Sequence, residues 1–483
     1  MKVKRPNLLY ILTDQQRADT MKCYGNGQIR TPRLNALAEE SFVFDNAYVS
    51  QPVCSPSRAT MMTGLWPHTC GVPSCNIPLG ADVPTIAEHL SDEYATAYMG
   101  KWHLGDEIFP QHGFDTWVGS EDSYRRGYSR EEDLCRFSDY HHFLTDKGLE
   151  PDSEVRGQRI FSRHLEAGVE EDLTKASFLG ERAARFILDD RGDRPWALCV
   201  SYLEPHPPHT GPLDELYEPE GLPTSAAFMH RPRANVPLII RLMAAYYMES
   251  EEYGLDLRSE EGWRGVLARY WGNVTLVDRS VGRILGALAE SGQADDTVVV
   301  FTSDHGEMAG DHGILGKTVM YEESVRVPLL LRAPMLSGEP RHIGGNLSHI
   351  DLVPTLLDLM GETVPAELQG ESRVPVLRGD EELSDNDIFI EWNGADGHPP
   401  RSLGEAEVNQ SMAQPLRTVV SAQRWKLNLY TSGTGELYDL NADPHELENL
   451  YDRPRHRHRV LDLADRVRRW QERTGDRAEL PRL

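Results

Sequence analysis

Asn7-Leu8-Leu9-Tyr10-Ile11-Leu12-Thr13-Asp14-Gln15 is the stretch on which the fold turns. A short, almost unbroken apolar run bounded by polar residues reads as a strand buried on both faces, and an acid arrives where the strand ends. Thr297-Val298-Val299-Val300-Phe301-Thr302-Ser303-Asp304-His305 has the same form. In an open α/β sheet, functional groups gather at the carboxyl ends of strands. Two carboxylates, the Gln15 amide oxygen and the His305 imidazole can therefore converge on one divalent cation. A lone acid after a strand merely caps the next helix; two such ends, bearing Asp-Gln and Asp-His, point to a metal instead. Oxygen-rich ligation suits calcium first, with magnesium as an alternative, and an imidazole also admits manganese.

Outward from these strands the chain alternates short β-type runs with helical stretches and shows no internal repeat, the pattern of an α/β protein with a parallel or mixed sheet. Strands are predicted at 7–13, 196–202, 297–303 and 327–332, and helices at 32–40, 57–62, 85–90, 180–188, 266–290 and 350–360. Two stretches, 123–172 and 211–263, read as insertions around a site. Within the first, Tyr124, Arg125, Arg126 and Tyr128 are candidates for a substrate rim. After about residue 377 the pattern changes to short strands at 387–392, 416–422, 425–430 and 436–440, closed by a charged helix from about 455. The expected division is a catalytic domain at 1–377 and a small antiparallel C-terminal subdomain at 378–483.

The chain has 483 residues, 76 Asp and Glu against 50 Lys and Arg, and a formal charge of −26. That length supports a core without stapling. The acidic balance argues against nucleic acid and against an anionic membrane surface, both of which need a basic footprint. It also disfavours attraction of a highly sulfated polymer, so an anionic substrate has to be captured by local positive groups in a pocket. A small or sparsely charged substrate fits best. The six cysteines are scattered and none has the repeated spacing of a zinc ribbon. The basic start, Met1-Lys2-Val3-Lys4-Arg5, precedes too short an apolar run for a signal peptide, and no run is long enough to span a membrane. The expected compartment is the cytoplasm. Oligomeric state is open, a homo-oligomer included.

Cys54 precedes Ser55-Pro56, which read as N-cap and first helical residue for Ser57-Arg58-Ala59-Thr60-Met61-Met62. Backbone N–H groups there, with Arg58 one turn on, stabilise an anion. Position alone is equally compatible with a buried, inert thiol. Gly100-Lys101-Trp102-His103-Leu104-Gly105, Pro205-His206-Pro207-Pro208-His209 and Gly316-Lys317 add cationic and proton-shuttling groups of the kind that cleaving a charged ester near a metal requires.

Cys54-Ser55-Pro56-Ser57-Arg58, with Thr63-Gly64 and Pro67-His68 after it, resembles the signature of the formylglycine-dependent sulfatases. Residues 7–16, 31–46, Lys101-x-His103, 303–317, 321–334 and 436–450 resemble that family in order and spacing, so the likeness covers nearly the whole chain. It implies an alkaline-phosphatase-like fold, a large mixed sheet sandwiched by helices, and a separate maturation enzyme that oxidises Cys54 to formylglycine. It also implies a metal bound at Asp14, Asp304 and His305; with Gln15 from the strand end and the converted Cys54, the candidate ligands are Asp14, Gln15, Cys54, Asp304 and His305. One hydroxyl of the hydrated aldehyde then attacks sulfur, and loss of a proton from the other collapses the diol and expels sulfate. By position, Arg58 holds the formylglycine oxygen, Lys101 contacts diol and sulfate, and His103 takes the proton for collapse. His206 and Lys317 bind sulfate oxygens, and one of them protonates the leaving alcohol. The implied partners are a small-molecule or saccharide sulfate ester and the maturation enzyme. Many sulfatases carry two consecutive acids after the first strand where this chain has Asp14-Gln15. That pairing, with Asp304-His305, also resembles the phosphonate monoester and phosphodiester hydrolases of the same superfamily, while Lys101-x-His103 favours the sulfatases. A non-catalytic metal-binding scaffold with Cys54 left as a thiol is the alternative of another class.

Overall fold

The computed structural model describes residues 5–336, 338–394, 413–481 and 483, without the side chain of Arg126. Its centre is a nine-stranded mixed sheet built on β1 (Asn7–Asp14). The other strands are β2 (Phe42–Tyr48), β3 (Ala95–Gly100), β4 (Thr116–Gly119), β5 (Trp196–Pro205), β6 (Thr297–Ser303), β7 (Arg326–Val327), β8 (Leu329–Arg332) and β9 (His342–Ser348). On one side of β1 lie β5, β3 and β4, all parallel to it and to each other. On the other lies parallel β6, followed by antiparallel β8 and then β2, which pairs in parallel with β9. The mixed sheet of the α/β expectation is present.

Every residue of β1 is buried, because helices cover both faces. Leu8, Tyr10 and Leu12 pack with the helices Cys54–Thr63 and Leu352–Leu359 on one face. Leu9 and Ile11 pack with Pro32–Glu39, Lys175–Leu188 and the 31-residue helix Glu260–Glu290 on the other. A second sheet of four antiparallel strands, β10 (Ile388–Trp392), β11 (Leu416–Val420), β12 (Trp425–Tyr430) and β13 (Gly435–Asp439), runs in sequence order. Val419, Leu427, Leu429 and Leu437 on this sheet pack against Val460, Leu463, Val467 and Trp470 of the helix Arg457–Thr474.

Several local expectations need correction. The helix expected at 57–62 starts at Cys54, with Val53 as its N-cap and no side-chain cap. Ser55 is therefore helical, and its hydroxyl donates to the His103 carbonyl at 2.8 Å instead of capping. The strand expected at 327–332 breaks into β7 and β8, because Pro328 lacks the N–H a continuous ladder needs. Four strands of the main sheet have no clean apolar run to mark them: β2 carries Asp45 and Asn46, β3 is rich in small residues, β4 is short and β9 contains Gly344-Gly345; the insertion at 123–172 holds a further two-stranded hairpin, Ser153–Val155 with Gln158–Ile160. The insertion at 211–263 contains the helix Leu238–Tyr247 and a two-stranded hairpin, and the long helix begins inside it, at Glu260.

Candidate active site

Parallel pairing sets Thr13 opposite Ser303, so the residues that follow, Asp14 and Asp304, leave the sheet side by side. The Asp304 N–H donates to the Thr13 carbonyl at 3.1 Å and the Gln15 N–H to Asp304 Oδ1 at 3.1 Å, which locks the two chain ends together. His305 Nε2 lies 3.7 Å from Asp14 Oδ1 and 3.5 Å from Asp304 Oδ1. Its Nδ1 sits 3.0 Å from the Gly306 carbonyl, which puts the proton on Nδ1 and leaves the Nε2 lone pair facing the carboxylates. The helix start brings in Cys54, whose Sγ is 3.3 Å from His305 Nε2 and 3.8 Å from Asp14 Oδ1. One ligand atom from each of Asp14, Cys54, Asp304 and His305 lies within 4.8 Å of the others, all buried.

Arg58, 1% exposed, bridges the carboxylates: Nε donates to Asp304 Oδ2 at 2.8 Å and a terminal nitrogen to Asp14 Oδ2 at 3.0 Å. Its other terminal nitrogen reaches the Lys101 carbonyl at 2.9 Å and Ser201 Oγ at 2.7 Å. Lys101 arrives at the end of β3, where a Cβ on Gly100 would lie 1.9 Å from the Ser201 carbonyl oxygen, so only glycine fits the approach to β5. Lys101 Nζ then donates to Asp14 Oδ2 at 2.6 Å. Lys317 Nζ donates to Gln15 Oε1 at 2.5 Å, leaving that amide oxygen a second lone pair.

Burial and Cys54 push Asp14 up, but Lys101, His206 and Arg58 outweigh them and hold it well below the usual carboxylate range. Burial, then the charge of Asp14, raises Asp304 to about 6. Two buried carboxylates held against each other are the arrangement a cation relieves, and a donor set of carboxylates, imidazole and amide oxygen fits a divalent ion. The residues present fit such an ion.

His103 lies in the left-handed region at φ 59, a conformation costly for a residue with a Cβ. The buried Glu107 carboxylate supports it, accepting from the His103 N–H at 2.6 Å and the Trp102 N–H at 2.9 Å. The His103 ring stacks on Tyr124 at 3.8 Å, its Nε2 is 3.1 Å from Asn76 Oδ1, and its Nδ1 is buried without a partner. Burial, then Lys101, lowers this imidazole to about 4; burial, then Lys317, lowers His206 to about 3. Both rings are neutral at neutral pH.

The candidate residues thus gather at one end of the sheet, with His206 just past the end of β5 and within the field of Lys317 and Asp14. Sequence reasoning missed Asn76, Glu107 and Glu307. Glu307 accepts from the Ala309 N–H at 2.8 Å and the Gly316 N–H at 2.5 Å, and also holds the Gln15 side-chain amide. Of the rim candidates, Tyr124 reaches the site. Arg125 is buried on Asp122 at 2.5 Å and on two carbonyls, while Tyr128 is buried beside it. The Arg126 side chain lies outside the described residues.

The Sulfatase family model matches residues 6–362, and a model for the C-terminal part of N-sulphoglucosamine sulphohydrolase matches 310–473. The chain is similar to an uncharacterised sulfatase, YidJ, of Escherichia coli strain K12, with 30% identity covering 96% of this chain and 88% of the relative. It is similar to an N-acetylglucosamine-6-O-sulfatase of Bacteroides thetaiotaomicron, with 26% identity over 98% and 87%. Among solved structures, the phosphonate monoester hydrolase of Agrobacterium radiobacter matches with a TM-score of 0.77 and 26% identity, covering 97% of this chain and 96% of that one.

Proposed function

The chain belongs to the sulfatase family and hydrolyses sulfate esters, and from this premise we propose that hydrolysis runs on a formylglycine made from Cys54 beside one divalent cation. The observation that carries this reading is the convergence of Asp14, Cys54, Asp304 and His305 within 4.8 Å. Asp14, Gln15, Asp304, His305 and position 54 would hold the ion, calcium by its oxygen donors. Bound there, the ion supplies Lewis-acid stabilisation of a nucleophilic oxygen. Oxidised and hydrated, position 54 supplies that oxygen and a way to release sulfate by C–O cleavage, so no second attack at sulfur is needed.

The remaining work falls to the chain's own side chains. Arg58 neutralises both carboxylates and points the start of its helix at the reacting centre. Lys101 and Lys317 flank position 54 and bind sulfate oxygens, stabilising charge on the transferring group. A neutral His103 with its Nε2 proton held by Asn76 keeps Nδ1 free as a base towards position 54. His206, beside Lys317, binds sulfate once the bound anion favours its protonated form; it or Lys317 then protonates the leaving alcohol.

The proposed substrate is a small or saccharide sulfate ester. The strongly acidic chain and a local cationic pocket support it, as does the Bacteroides relative, an N-acetylglucosamine-6-O-sulfatase. Residues 1–377 are the proposed catalytic domain, and 378–483 the proposed subdomain beside it. Among the described residues no helix is long and apolar enough to cross a membrane. The proposed compartment is the cytoplasm.

Protein made with a maturation enzyme, assayed on an aryl sulfate, a phosphodiester and a phosphonate monoester, tests the reading. Sulfate turnover that is lost on exhaustive chelation and restored by calcium is the expected result. Robust phosphonate or phosphodiester turnover without sulfate turnover overturns it.

A further inference from the structure

We propose that Cys54 and Cys75 are a redox couple: in a chain whose Cys54 is still a thiol, peroxide joins their two sulfurs in a disulfide. The sulfurs lie within 4.8 Å of each other and of a His103 ring nitrogen. The segment carrying Cys75 is pinned on both sides of it. Gln51 Nε2 donates to the Pro73 carbonyl at 3.0 Å, and the Asn76 N–H donates to Ser55 Oγ at 3.3 Å, next to Cys54 itself. The two differ in burial: Cys54 is 3% exposed at the floor of the site and Cys75 is half-buried at its wall. Among the described residues, Cys75 is the cysteine grouped with Cys54; Cys70 packs in the core against its own helix and Cys199 lies inside the sheet.

The oxidant is hydrogen peroxide, small enough to enter a site built for sulfate. The Cys54 sulfur attacks one peroxide oxygen, the O–O bond breaks, and sulfenic acid and water form. The Cys75 sulfur then attacks the sulfenic sulfur, the S–S bond forms, the S–O bond breaks and a second water leaves. Two thiols lose two electrons and peroxide gains them. The link withdraws Cys54 from further oxidation to sulfinic acid, which thiols do not reverse, and a dithiol restores it. Cys75 is thereby a resolving cysteine for the residue on which the hydrolase depends. The couple requires only that Cys54 be a thiol, so its failure would leave the formylglycine reading standing.

The test uses full-length protein made without a maturation enzyme, treated in its native state with hydrogen peroxide, then alkylated and mapped without reduction. A Cys54–Cys75 linked peptide should appear with loss of both free thiols, and dithiothreitol should return them. In Cys75→Ser, Cys54 should instead run on to sulfinic acid that dithiothreitol does not reverse. Circular dichroism matching wild type establishes that the variant is folded. Sulfinic acid at Cys54 accumulating equally fast in wild type and Cys75→Ser, or two thiols surviving peroxide in wild type, overturns the proposal.

Discussion

Two of this molecule's clusters of buried charge, one under the C-terminal sheet and one at the strand ends, are finished differently. Beneath the C-terminal sheet, Lys426 Nζ reaches Glu322 at 3.0 Å and Glu446 at 2.8 Å, while Tyr48 donates to Glu322 at 2.9 Å and Arg424 lies 3.3 Å from it. Every cation there is spent on a carboxylate of the chain. At the strand ends, the His103 Nδ1 and a second lone pair on Gln15 are left over, and His305 Nε2 has only the Cys54 sulfur, 3.3 Å away, all buried. The first cluster closes on itself and ties the small sheet to β2 and the segment after Tyr321. The second has valence to spare, which is what a site for a ligand needs.

Breaking each cluster should therefore damage a different property. Cys54→Ala, made alongside the maturation enzyme, should lower sulfate turnover by about a thousandfold or more with an unchanged thermal midpoint; turnover near wild type removes the central proposal. Lys426→Met leaves Glu446 without its cation and Glu322 on Arg424 and Arg326 alone, and should cost about 3 kcal/mol in urea unfolding, with kcat per folded molecule preserved. A fall in kcat without a fall in stability would join the two clusters functionally. His103→Ala should reduce kcat by about 10²- to 10⁴-fold, a loss visible only if conversion of Cys54, measured by mass spectrometry, is complete. Asn76→Leu removes the acceptor on His103 Nε2 and should reduce kcat by about ten- to a hundredfold. Asn76→Asp, which keeps an acceptor there, should recover most of it.

Acid sharpens the contrast further. Burial pushes Glu322 up, but Lys426, Arg424 and Arg326 outweigh it and hold the carboxyl at about 2, against an ordinary 4.5. A depressed folded-state value means the stabilisation is complete above the unfolded value and lost as pH falls from 4.5 towards 2. The stability gap between wild type and Glu322→Gln should close as pH falls from 4.5 towards 2. Urea titrations across that range measure it, and a gap that widens in acid contradicts the assignment.

The strand-end acids were legible because a buried strand announces itself by an apolar run, and whatever follows stands at the sheet's carboxyl edge. The order Asp14, Cys54, Asp304 carried the rest. Residues that act through backbone contacts left no such mark. Glu107 supports a left-handed His103, Glu307 holds Gln15 and the loop before Lys317, and Asn76 meets His103 from 27 residues away in sequence. Ser55 looked like a cap because serine before proline usually is one, but the hydroxyl found a carbonyl across the site. Arg125 looked like a rim cation; Asp122, three residues earlier, draws it inward. Strands such as β9, with two glycines and a serine, depend on neighbours distant in the chain for their existence.

The depth at which Cys54 sits has a consequence in time. The pocket around it is assembled from segments that begin at Asp14 and end at Lys317, and the finished protein leaves 3% of the residue open. A second protein has no grip on a side chain so enclosed. Under the proposed reading, conversion of Cys54 by a maturation enzyme has to take place on the nascent or unfolded chain, before β6 docks beside β1.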